Sequence, residues 1–344
     1  MTTVRVVVID DSATMRALIR ASLKDDPAIE VVGEAGDPYA ARDAIKALSP
    51  DVITLDVEMP RMNGLEFLDK IMRLRPMPVI MISANTQEGA AVSIEALAMG
   101  AVDCIGKPAS GSLEASLADL PEKIKTAAKA VVRQRPGSQQ VAQDAHSFTP
   151  NDKLVAIGAS TGGVDALMTL LSVYPENCPP TLITQHMPEG FTASFAERLN
   201  RFTAPVVVEA SDGMPIKQGH VYIAPGGGAH LEIAGKTSFH CALKEGPLVS
   251  GHRPSVDALF RSFVRLRSRA VGVILTGMGR DGAEGLLDIR QAGGRTLGQD
   301  EKSCVVYGMP QVANKIGAVE KQAHLSRIGW KILALCRASN AKVA

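Results

Sequence analysis

The chain has 344 residues, of which 46% are hydrophobic and 21% are charged, and its formal net charge is +1. This length predicts two domains of about 100–200 residues each, and the composition is that of a chain that buries full hydrophobic cores. Aromatic residues make up only 4% of the chain, its arginines are dispersed, and it has no helix-turn-helix or zinc-finger pattern, so nucleic acid is excluded as an expected partner.

The first predicted element is a strand over residues 4–9, and the acidic pair Asp10-Asp11 follows it directly. A segment this short and acidic does not fit a secretory signal. No apolar stretch approaches the length of about 18 residues that crosses a bilayer. The five cysteines form no CxxC pair and no metal-ligand spacing, which favours buried, reduced thiols. We therefore expect a cytoplasmic protein without membrane insertion.

Apolar strands alternate with amphipathic helices through the first third of the chain. The strands are predicted near residues 4–9, 29–35, 52–55, 78–82 and 101–105. Successive strand-helix units of this kind predict a doubly wound parallel sheet, which belongs to the α/β class of folds. In such sheets the functional residues gather at the carboxyl ends of the strands.

Four of these strand ends carry polar residues that fit one kind of chemistry. Asp10 and Asp11 end the first strand, Asp56 the third and Ser83 the fourth, and Lys107 follows the fifth. Carboxylates that converge on one rim repel each other unless a dication such as Mg2+ lies among them. Asp56 then fits a nucleophile toward a phosphoryl donor, with Ser83 and Lys107 contacting the phosphoryl oxygens. Taken singly, each residue also fits a helix cap, a turn or a solvated loop.

Together these residues resemble the receiver domains of two-component response regulators over about residues 4–122. The matching motifs are Asp10-Asp11, Asp56 followed by Met59-Pro60-Arg-Met-Asn-Gly64, Ser83-Ala84 and Lys107-Pro108. The resemblance implies a flavodoxin-like fold in which a sensor histidine kinase is the phosphodonor for Asp56. It also implies that Asp11 and Asp56 bind Mg2+, with help from Asp10 and from the backbone carbonyl of Glu58.

Two details of this resemblance concern the end of the fifth strand. The Lys107-Pro108 bond is expected to be cis, as it is in the family. Receivers often carry an aromatic switch residue three positions before the lysine, and this chain has Cys104 there. Signal transmission through an aromatic rotamer is therefore not expected.

A linker is predicted between the two halves of the chain. Residues 112–133 fit a final helix, and residues 134–150 are rich in Gln, Ser, Gly and Pro without apolar periodicity. The expected divisions are a receiver domain over 4–122, a helix end and linker over 123–150, and a second domain over 151–342. Strands of the second domain are predicted near residues 153–158, 181–185, 206–210, 220–224 and 270–276.

The first strand of the second domain delivers Ser160 into the turn Gly158-Ala-Ser-Thr-Gly-Gly163, ahead of a predicted helix over residues 165–173. A serine at a sharp strand-to-helix turn is exposed, close to helix N-terminal amides and reachable by a base from a neighbouring strand end. Gly-rich turns of this kind also bind phosphate or serve only tight packing. Ser160 is therefore a candidate nucleophile that needs a base.

His186 is the best candidate for that base, because it ends the next predicted strand after the one that delivers Ser160. The other six histidines lack this placement, although two of them, His230 and His252, lie in Gly-rich loops that could line a pocket. An orienting acid is best sought at Asp281, in the glycine turn between the strand 270–276 and a predicted helix over 283–292.

We expect the Asp281 carboxylate to accept the Nδ1 proton of His186 and so to fix its tautomer. Backbone N–H groups near Met278 and Thr161 are expected to receive the oxyanion. The order Ser160, His186, Asp281 differs from the order of serine, acid and histidine in α/β-hydrolases.

A rival interpretation uses the same glycine turn. The residues Gly277, Gly279 and Gly282 match the G-x-G-x-x-G pattern of dinucleotide-binding sites, and Asp300 follows near the end of another strand-like segment. Against this interpretation, Asp281 would stand beside the pyrophosphate, where a second anion is repelled.

The second half resembles the catalytic domain of the chemotaxis protein-glutamate methylesterases over about residues 150–340. The matching stretches are Ile157-Gly-Ala-Ser160-Thr-Gly-Gly163, Gln185-His186-Met187-Pro188, Ala224-Pro225-Gly226, Arg253-Pro-Ser-Val-Asp257, Thr276-Gly-Met-Gly-Arg-Asp281-Gly and Val305-Val-Tyr-Gly-Met-Pro310. The resemblance implies a Rossmann-like α/β domain that hydrolyses glutamate 5-O-methyl esters on cytoplasmic helices of chemoreceptors, with release of methanol. It further implies deamidation of receptor glutamines to glutamate, an oxyanion amide at Met278, and a cleft lined by His230 and Arg253. No metal or other cofactor is expected for this ester chemistry.

Two functions remain open at this point. In the first, the protein is an enzyme activated by phosphorylation of Asp56, which shifts the docking of an acidic first part on a basic second part. Residues 1–122 carry 11 Lys and Arg against 19 Asp and Glu, whereas the remainder carries 26 against 17. In the second, the protein is a non-catalytic, receptor-binding signalling module with a receiver domain.

Overall fold

The computed structural model describes residues 3–84, 86–107, 117–132 and 148–338. The chain forms two compact units, Met1–Ser138 and Gln139–Ala344. Within the described ranges, no helix is long and apolar enough to cross a membrane. All five cysteines are buried and free, so the prediction of buried, reduced thiols is confirmed.

The first unit is a parallel sheet with a helix after each strand. Its strands are β1 (Val4–Ile9), β2 (Ile29–Ala35), β3 (Val52–Asp56), β4 (Val79–Ala84) and β5 (Asp103–Lys107), and its helices are α1 (Ala13–Leu23), α2 (Pro38–Leu48), α3 (Gly64–Leu74), α4 (Gln87–Met99) and α5 (Leu120–Ala127). The strands lie in the order β2-β1-β3-β4-β5 and all pair in parallel. The predicted doubly wound parallel sheet is confirmed.

Side-chain caps start four of these helices. Ser12, Asp37, Asn63 and Thr86 each accept a hydrogen bond from a backbone N–H in the first turn of the helix that follows. Such caps satisfy amides that have no partner inside the helix. The helix α5 lies inside the predicted span 112–133, and the predicted cis bond at Pro108 lies outside the described residues.

The second unit has a larger parallel sheet and a separate hairpin. Its strands are β6 (Leu154–Ala159), β7 (Thr181–Gln185), β8 (Val206–Glu209), β9 (His220–Ile223), β10 (His230–Ala234), β11 (His240–Lys244), β12 (Ala270–Ile274), β13 (Arg295–Gln299) and β14 (Lys321–Ala323). Its helices are α6 (Gly163–Leu171), α7 (Phe191–Phe202), α8 (Val256–Phe263), α9 (Ala283–Gln291), α10 (Met309–Lys315) and α11 (Leu325–Cys336). The seven-stranded sheet has the order β14-β13-β12-β6-β7-β9-β8, and every pair in it is parallel.

The antiparallel hairpin of β10 and β11 was not predicted. Residue 230 is expected in a loop from the sequence because glycines 226–228 lie just before it and obscure the start of a short strand. Within β10, Leu231 and Ile233 are buried while Glu232 is half-buried, which is the period-two pattern of a strand. At five residues, each strand is too short for this pattern to stand out beside the glycines.

The central strand β6 is covered by a helix on each face. A Cβ added at Gly158 would lie 2.1 Å from Val256 in α8, whereas Ala159 lies against Gly163 at the start of α6. Because successive strand residues point to opposite faces, α8 and α6 cover opposite sides of the sheet. From β6 the chain winds outward first to β7 and later to β12, so residue 160 lies at the switch point where such sheets bind ligands.

Candidate active site

Ser160 directly follows β6 and begins a tight turn into α6. The turn is closed by the Gly163 N–H, which donates to the Ser160 carbonyl at 2.7 Å. Gly162 has a φ of +77°, and a Cβ there would lie 2.6 Å from the Cβ of Val305, so the turn requires glycine. The Ser160 N–H donates to the carbonyl of Thr276 at 3.0 Å, which fixes the serine beside the chain that leaves β12.

His186 lies beside Ser160 because their strands are neighbours in the sheet. Ala159 pairs with Gln185 at the carboxyl ends of β6 and β7, and the His186 N–H donates to the Ala159 carbonyl at 3.0 Å. The candidate nucleophile and the candidate base are thus the two residues that follow the last paired positions. This placement agrees with the strand order expected from the sequence.

The imidazole of His186 reaches Asp281 through Nε2, which lies 2.8 Å from Oδ2 of the acid. The prediction that Nδ1 faces the carboxylate is wrong. The strand β6 lies between β7 and β12, so the acid is about two strand spacings of roughly 4.8 Å away, and only the ring nitrogen farther from the backbone spans that distance. The Nδ1 atom is buried, and no described residue hydrogen-bonds to it. Its lone pair can accept a hydroxyl proton.

The Asp281 carboxylate is 1% exposed and accepts four hydrogen bonds. Besides His186, its donors are Ser255 Oγ at 2.8 Å, the Val256 N–H at 2.7 Å and the Asp257 N–H at 3.0 Å. These donors form the amino-terminal end of α8, where the helix dipole also favours an anion. Burial raises the pKa of Asp281, but the bonds from His186 and the two amides outweigh it and hold the pKa below its usual value. The carboxylate therefore stays ionised and fixes the imidazole.

The helix that follows Asp281 is capped in return. Asp257 Oδ1, on α8, accepts from the Gly285 N–H at 2.7 Å in the first turn of α9, and Ser250 Oγ donates to its Oδ2 at 3.0 Å. Burial raises the pKa of this carboxyl. Asp281, in the turn before α9, thus lies at the start of α8, and Asp257, on α8, lies at the start of α9. This exchange holds the acid of the site in place.

The two predicted oxyanion donors flank Ser160. Thr161 is the next residue, and Met278 follows Gly277, where an added Cβ would lie 2.7 Å from the Cβ of Ser160. The Gly277 carbonyl accepts from the Met309 N–H at 2.8 Å. The chain that carries the Met278 N–H is thus held against the serine, as an oxyanion site requires.

His230 does not line a cleft, and its predicted contact with substrate is corrected. The residue is 5% exposed, and both ring nitrogens bind backbone groups. Its Nδ1 accepts from the Ser255 N–H at 3.1 Å, so Nε2 carries the proton and donates to the Pro247 carbonyl at 3.0 Å. The ring stabilises the loop that leads into α8.

Arg253, the other predicted cleft residue, is exposed and connects two loops. Its guanidinium donates through Nε to the Gly227 carbonyl at 3.0 Å and through a terminal nitrogen to the Gly246 carbonyl at 2.8 Å. Its role toward substrate stays a prediction.

Sequence reasoning gave little weight to His252, whose ring stacks on that of His186. The ring centroids are 3.7 Å apart and the planes differ by 15°. Ser250 and Gly251, both with positive φ, form the turn that presents this ring. The turn was visible in the sequence, but the direction of the histidine was not.

The rival dinucleotide interpretation is not supported by the glycine turn. The carboxylate of Asp281 faces His186 inside the fingerprint, where a pyrophosphate would lie. Asp300, the candidate ribose ligand, accepts instead from the N–H and the hydroxyl of Ser303 at 3.0 and 2.6 Å.

The rim of the first sheet brings together Asp10, Asp11 and Asp56, whose oxygens lie within 4.8 Å of one another. Lys107 Nζ lies 2.9 Å from Asp56 Oδ1 and 3.1 Å from Asp10 Oδ2. Burial, reinforced by the charge of Asp10 and opposed by Lys107, raises the pKa of Asp56 to about 6. These carboxylates therefore repel one another even with a lysine among them.

This rim fits Mg2+, which prefers carboxylate oxygens and retains several waters. Three acidic groups lie close enough to share one ion, and a dication would relieve the repulsion from Asp10 that adds to burial in raising the Asp56 pKa. The Glu58 N–H donates to the Asp56 carboxylate. Asp11, Glu58 and Ser83 also line a cavity of about 500 Å3 at this rim, which leaves room for a phosphoryl group.

The hydroxyl of Ser83 points toward α4. Its Oγ lies 2.5 Å from the Oγ of Ser93, and both residues are buried. Cys104, on the neighbouring strand β5, is also buried, and burial raises the pKa of its thiol to about 12. The thiol therefore stays protonated. The hydrogen bond between Ser83 and Ser93 is a polar link between the end of β4 and α4.

Comparisons with known proteins agree with this two-part architecture. A family model described as CheB methylesterase matches residues 155–332, and one described as response regulator receiver domain matches residues 6–117. A Caulobacter vibrioides protein named protein-glutamate methylesterase/protein-glutamine glutaminase 1 is 58% identical over 343 residues, which cover 98% of this chain and 99% of that protein. A Rhizobium johnstonii protein of the same name is 58% identical over 340 residues, 97% of each chain. The crystal structure of the Thermotoga maritima CheB methylesterase catalytic domain is similar, with a TM-score of 0.52 and 36% identity, over 53% of this chain and 98% of that one.

Proposed function

Because the chain belongs to the CheB methylesterase family, we propose that Ser160, His186 and Asp281 perform the family's ester hydrolysis in this protein. The protein is a chemotaxis response regulator, with a receiver domain ahead of a methylesterase domain, and a carboxylic-ester hydrolase. Its substrates are glutamate 5-O-methyl esters of chemoreceptors, and we place them on the receptors' cytoplasmic helices. The observation that supports the triad most is the 2.8 Å contact of His186 with Asp281 beside Ser160.

Acylation begins when Ser160 Oγ attacks the ester carbonyl carbon and its proton passes to His186 Nδ1. The resulting oxyanion accepts hydrogen bonds from the Thr161 and Met278 amides. Asp281 stabilises the imidazolium, since its carboxylate already accepts a hydrogen bond from Nε2–H and remains ionised. Collapse of the intermediate breaks the bond to the methoxy oxygen, which takes the proton from Nδ1 and leaves as methanol.

Water completes the reaction along the same path. It loses a proton to His186 Nδ1 and attacks the acyl carbon, and the second collapse returns the proton to Ser160 Oγ and releases a glutamate side chain. The glutaminase activity follows the same steps on a receptor glutamine. There the leaving group is ammonia, which receives the proton from Nδ1.

Phosphorylation of the receiver domain is proposed to raise this activity. The Asp56 carboxylate attacks the phosphorus of a phosphohistidine on a sensor kinase, and the bond from phosphorus to the histidine nitrogen breaks. Lys107 stabilises the oxygens of the transferred group. The Ser83 hydroxyl exchanges its bond to Ser93 for one to a phosphoryl oxygen, which removes this hydrogen bond between β4 and α4. Mg2+, held by Asp10, Asp11, Asp56 and the Glu58 carbonyl, would neutralise charge on the phosphoryl group.

Methanol release from methylated receptor membranes tests the triad. We expect Ser160→Ala to lose measurable release, while the full chain keeps its wild-type melting temperature. Full activity in Ser160→Ala would contradict the proposal.

A serine-directed fluorophosphonate separates an enzyme from a binding module. Labelling of wild type that disappears in Ser160→Ala supports the enzyme, because only an activated serine reacts quickly. Receptor binding without Ser160-dependent labelling or methanol release would favour the module.

A further inference from the structure

We propose that Gln185 is a positioning residue that sets the separation of the nucleophile and its base. Gln185 is the last residue of β7, and its side-chain amide donates to two main-chain carbonyl oxygens. Its Nε2 lies 2.9 Å from the carbonyl oxygen of Ser160 and 3.1 Å from that of His186. One NH2 group therefore ties together the backbone of both residues. The proposal rests on the roles proposed above for Ser160 and His186.

The sheet itself does not supply this connection. The ladder of β6 and β7 ends at Ala159 and Gln185, and its last backbone bond runs from the His186 N–H to the Ala159 carbonyl. Beyond that point the two chains diverge, since Ser160 turns into α6 and His186 leads toward α7. The carboxamide extends the ladder by one step at the level where the reacting atoms must meet.

The surroundings of the carboxamide hold it in this position. Gln185 is 3% exposed, so water does not compete for the two carbonyl groups. A Cβ added at Gly163 would lie 1.9 Å from the Gln185 Oε1, so only glycine leaves room for the amide. This contact explains the second glycine of the turn: Gly162 supplies a left-handed backbone, whereas Gly163 supplies space.

The carboxamide serves both carbonyls at once because its NH2 group carries two hydrogens. Methionine at position 185 would keep the length of the side chain without donating any hydrogen bond. Glutamate would donate once when protonated and not at all when ionised. Burial and the two carbonyl oxygens favour its neutral form, so its pKa would be raised. In Gln185→Glu, a rise in pH should therefore remove the one hydrogen bond that the side chain donates.

A purely structural role is the competing explanation, because buried carbonyl groups need donors anywhere in a fold. Asn151 provides a matched control. Its Nδ2 also donates to two backbone carbonyls, those of Leu335 and Arg337, at 3.1 and 3.2 Å. It precedes β6, at the end of the sheet opposite Ser160. Asn151→Leu removes the same kind of paired hydrogen bonds, and also the bond that Asn151 Oδ1 accepts from the Lys153 N–H at 3.0 Å, without touching the site.

The test compares Gln185→Met with Asn151→Leu in the full chain, by methanol release and by thermal unfolding. We expect both variants to melt at a lower temperature. Only Gln185→Met should lose kcat, by about 10- to 100-fold with KM nearly unchanged, because a misplacement of about 1 Å between reacting groups costs this much. A kcat for Gln185→Met as close to wild type as that of Asn151→Leu would overturn the proposal.

Gln185→Glu gives a second readout that does not depend on comparing stabilities. Its kcat should fall as pH rises through a range in which the wild-type and Asn151→Asp values stay level. A profile parallel to wild type would overturn the proposal. Ser160→Ala in the same assay separates the two levels of inference. Full activity there defeats the triad itself, whereas an inactive Ser160→Ala beside wild-type behaviour of both Gln185 variants defeats only the positioning role.

Discussion

The two parallel sheets of this chain both place carboxylates at the carboxyl ends of their strands, yet the surroundings of these carboxylates are opposite. Asp281 accepts four hydrogen bonds, and its pKa is lowered. Burial, together with the charge of the buried Asp10, raises the pKa of Asp56 to about 6. A carboxylate surrounded by donors stays fixed and orients a neighbour. A buried carboxylate beside other acids, which one lysine only partly offsets, remains ready to bind a cation or to attack a phosphoryl group.

The packing of the two rims differs in the same sense. Around Ser160, glycines at 162, 163 and 277 leave no room for even one methyl group. At the rim of the first sheet, a cavity of about 500 Å3 lies beside Asp11 and Ser83. The rim proposed for ester chemistry is prearranged, and the rim proposed to receive a phosphoryl group keeps space for it.

The largest effect is expected from Asp281→Asn, which replaces the carboxylate that accepts four hydrogen bonds with a carboxamide. The amide would turn its NH2 group toward two of the four donors and would no longer hold His186 in the right tautomer. We expect kcat for methanol release to fall by about 10³- to 10⁴-fold. Asp300→Asn is the control, since that carboxylate caps a short turn after β13, which lies two strands away from β6 and Ser160. Equal kcat losses in the two variants would contradict the comparison.

Gly277→Ala tests whether the rim around Ser160 is as tightly packed as the comparison requires. The added methyl group would meet both the Ser160 Cβ, at 2.7 Å, and the Met309 sulfur, at 2.4 Å. We expect kcat to fall by about 100-fold, because the serine and the oxyanion amide move apart. Gly228→Ala is the control, because a Cβ there meets nothing within 4 Å. A wild-type kcat for Gly277→Ala would show that the rim can accommodate a methyl group without displacing Ser160.

The crowded acids of the first rim are tested by the pH dependence of stability. The Asp56 pKa lies above that of an unfolded aspartate, so the cost of ionising it is absent below about pH 4 and complete above about pH 6. Asp56→Asn removes this cost. In Mg2+-free buffer, we expect the variant's receiver domain to gain about 2 kcal/mol over wild type at pH 8, after allowance for solvent screening. At pH 4 the two should be equal.

Urea denaturation of the full chain at both pH values provides this measurement. Asp37→Asn should behave in the opposite way, because the Ala40 and Tyr39 amides hold the pKa of Asp37 below its usual value. Its loss of stability should be present at pH 8 and absent in acid. A gain for Asp56→Asn that is the same at both pH values would contradict the account.

The smallest effect is expected from Ser93→Ala, which removes the partner of the Ser83 hydroxyl. With that bond gone, Ser83 is free to meet a phosphoryl oxygen, and half-maximal stimulation should need about fivefold less phosphodonor, as expected for one hydrogen bond. The assay is methanol release against phosphodonor concentration. Thr54→Val is the control, since the Thr54 hydroxyl is buried and no described residue hydrogen-bonds to it. An unchanged midpoint in Ser93→Ala would remove the serine pair from the switch.

Much of the fold was predictable because strand-helix alternation and glycine turns are local signals. The same logic placed Ser160 and His186 at neighbouring strand ends, since the carboxyl ends of parallel strands share one edge. The hairpin of β10 and β11 was missed because both strands are short and β10 comes just after three glycines. His230 lies at the start of this hairpin, so it is buried and stabilises the loop that leads into α8 instead of lining a pocket.

The details that sequence reasoning missed depend on side-chain direction over several strands. Which nitrogen of His186 meets Asp281 follows from the strand that lies between them, and sequence spacing does not contain that order. The stacking of His252 and the double donation of Gln185 likewise depend on where a side chain points. Gln185 stands next to His186 in the sequence, but only the geometry shows that it also binds Ser160.

The most direct test of the triad is to trap its covalent intermediate. A receptor-derived peptide with a glutamate methyl ester is mixed with the full chain, quenched in acid during turnover and mapped by mass spectrometry. We predict a glutamyl ester on Ser160 that forms in wild type, is absent in Ser160→Ala and builds up far more slowly in Asp281→Asn. An acyl group on any other residue, or turnover in Ser160→Ala, would contradict the account.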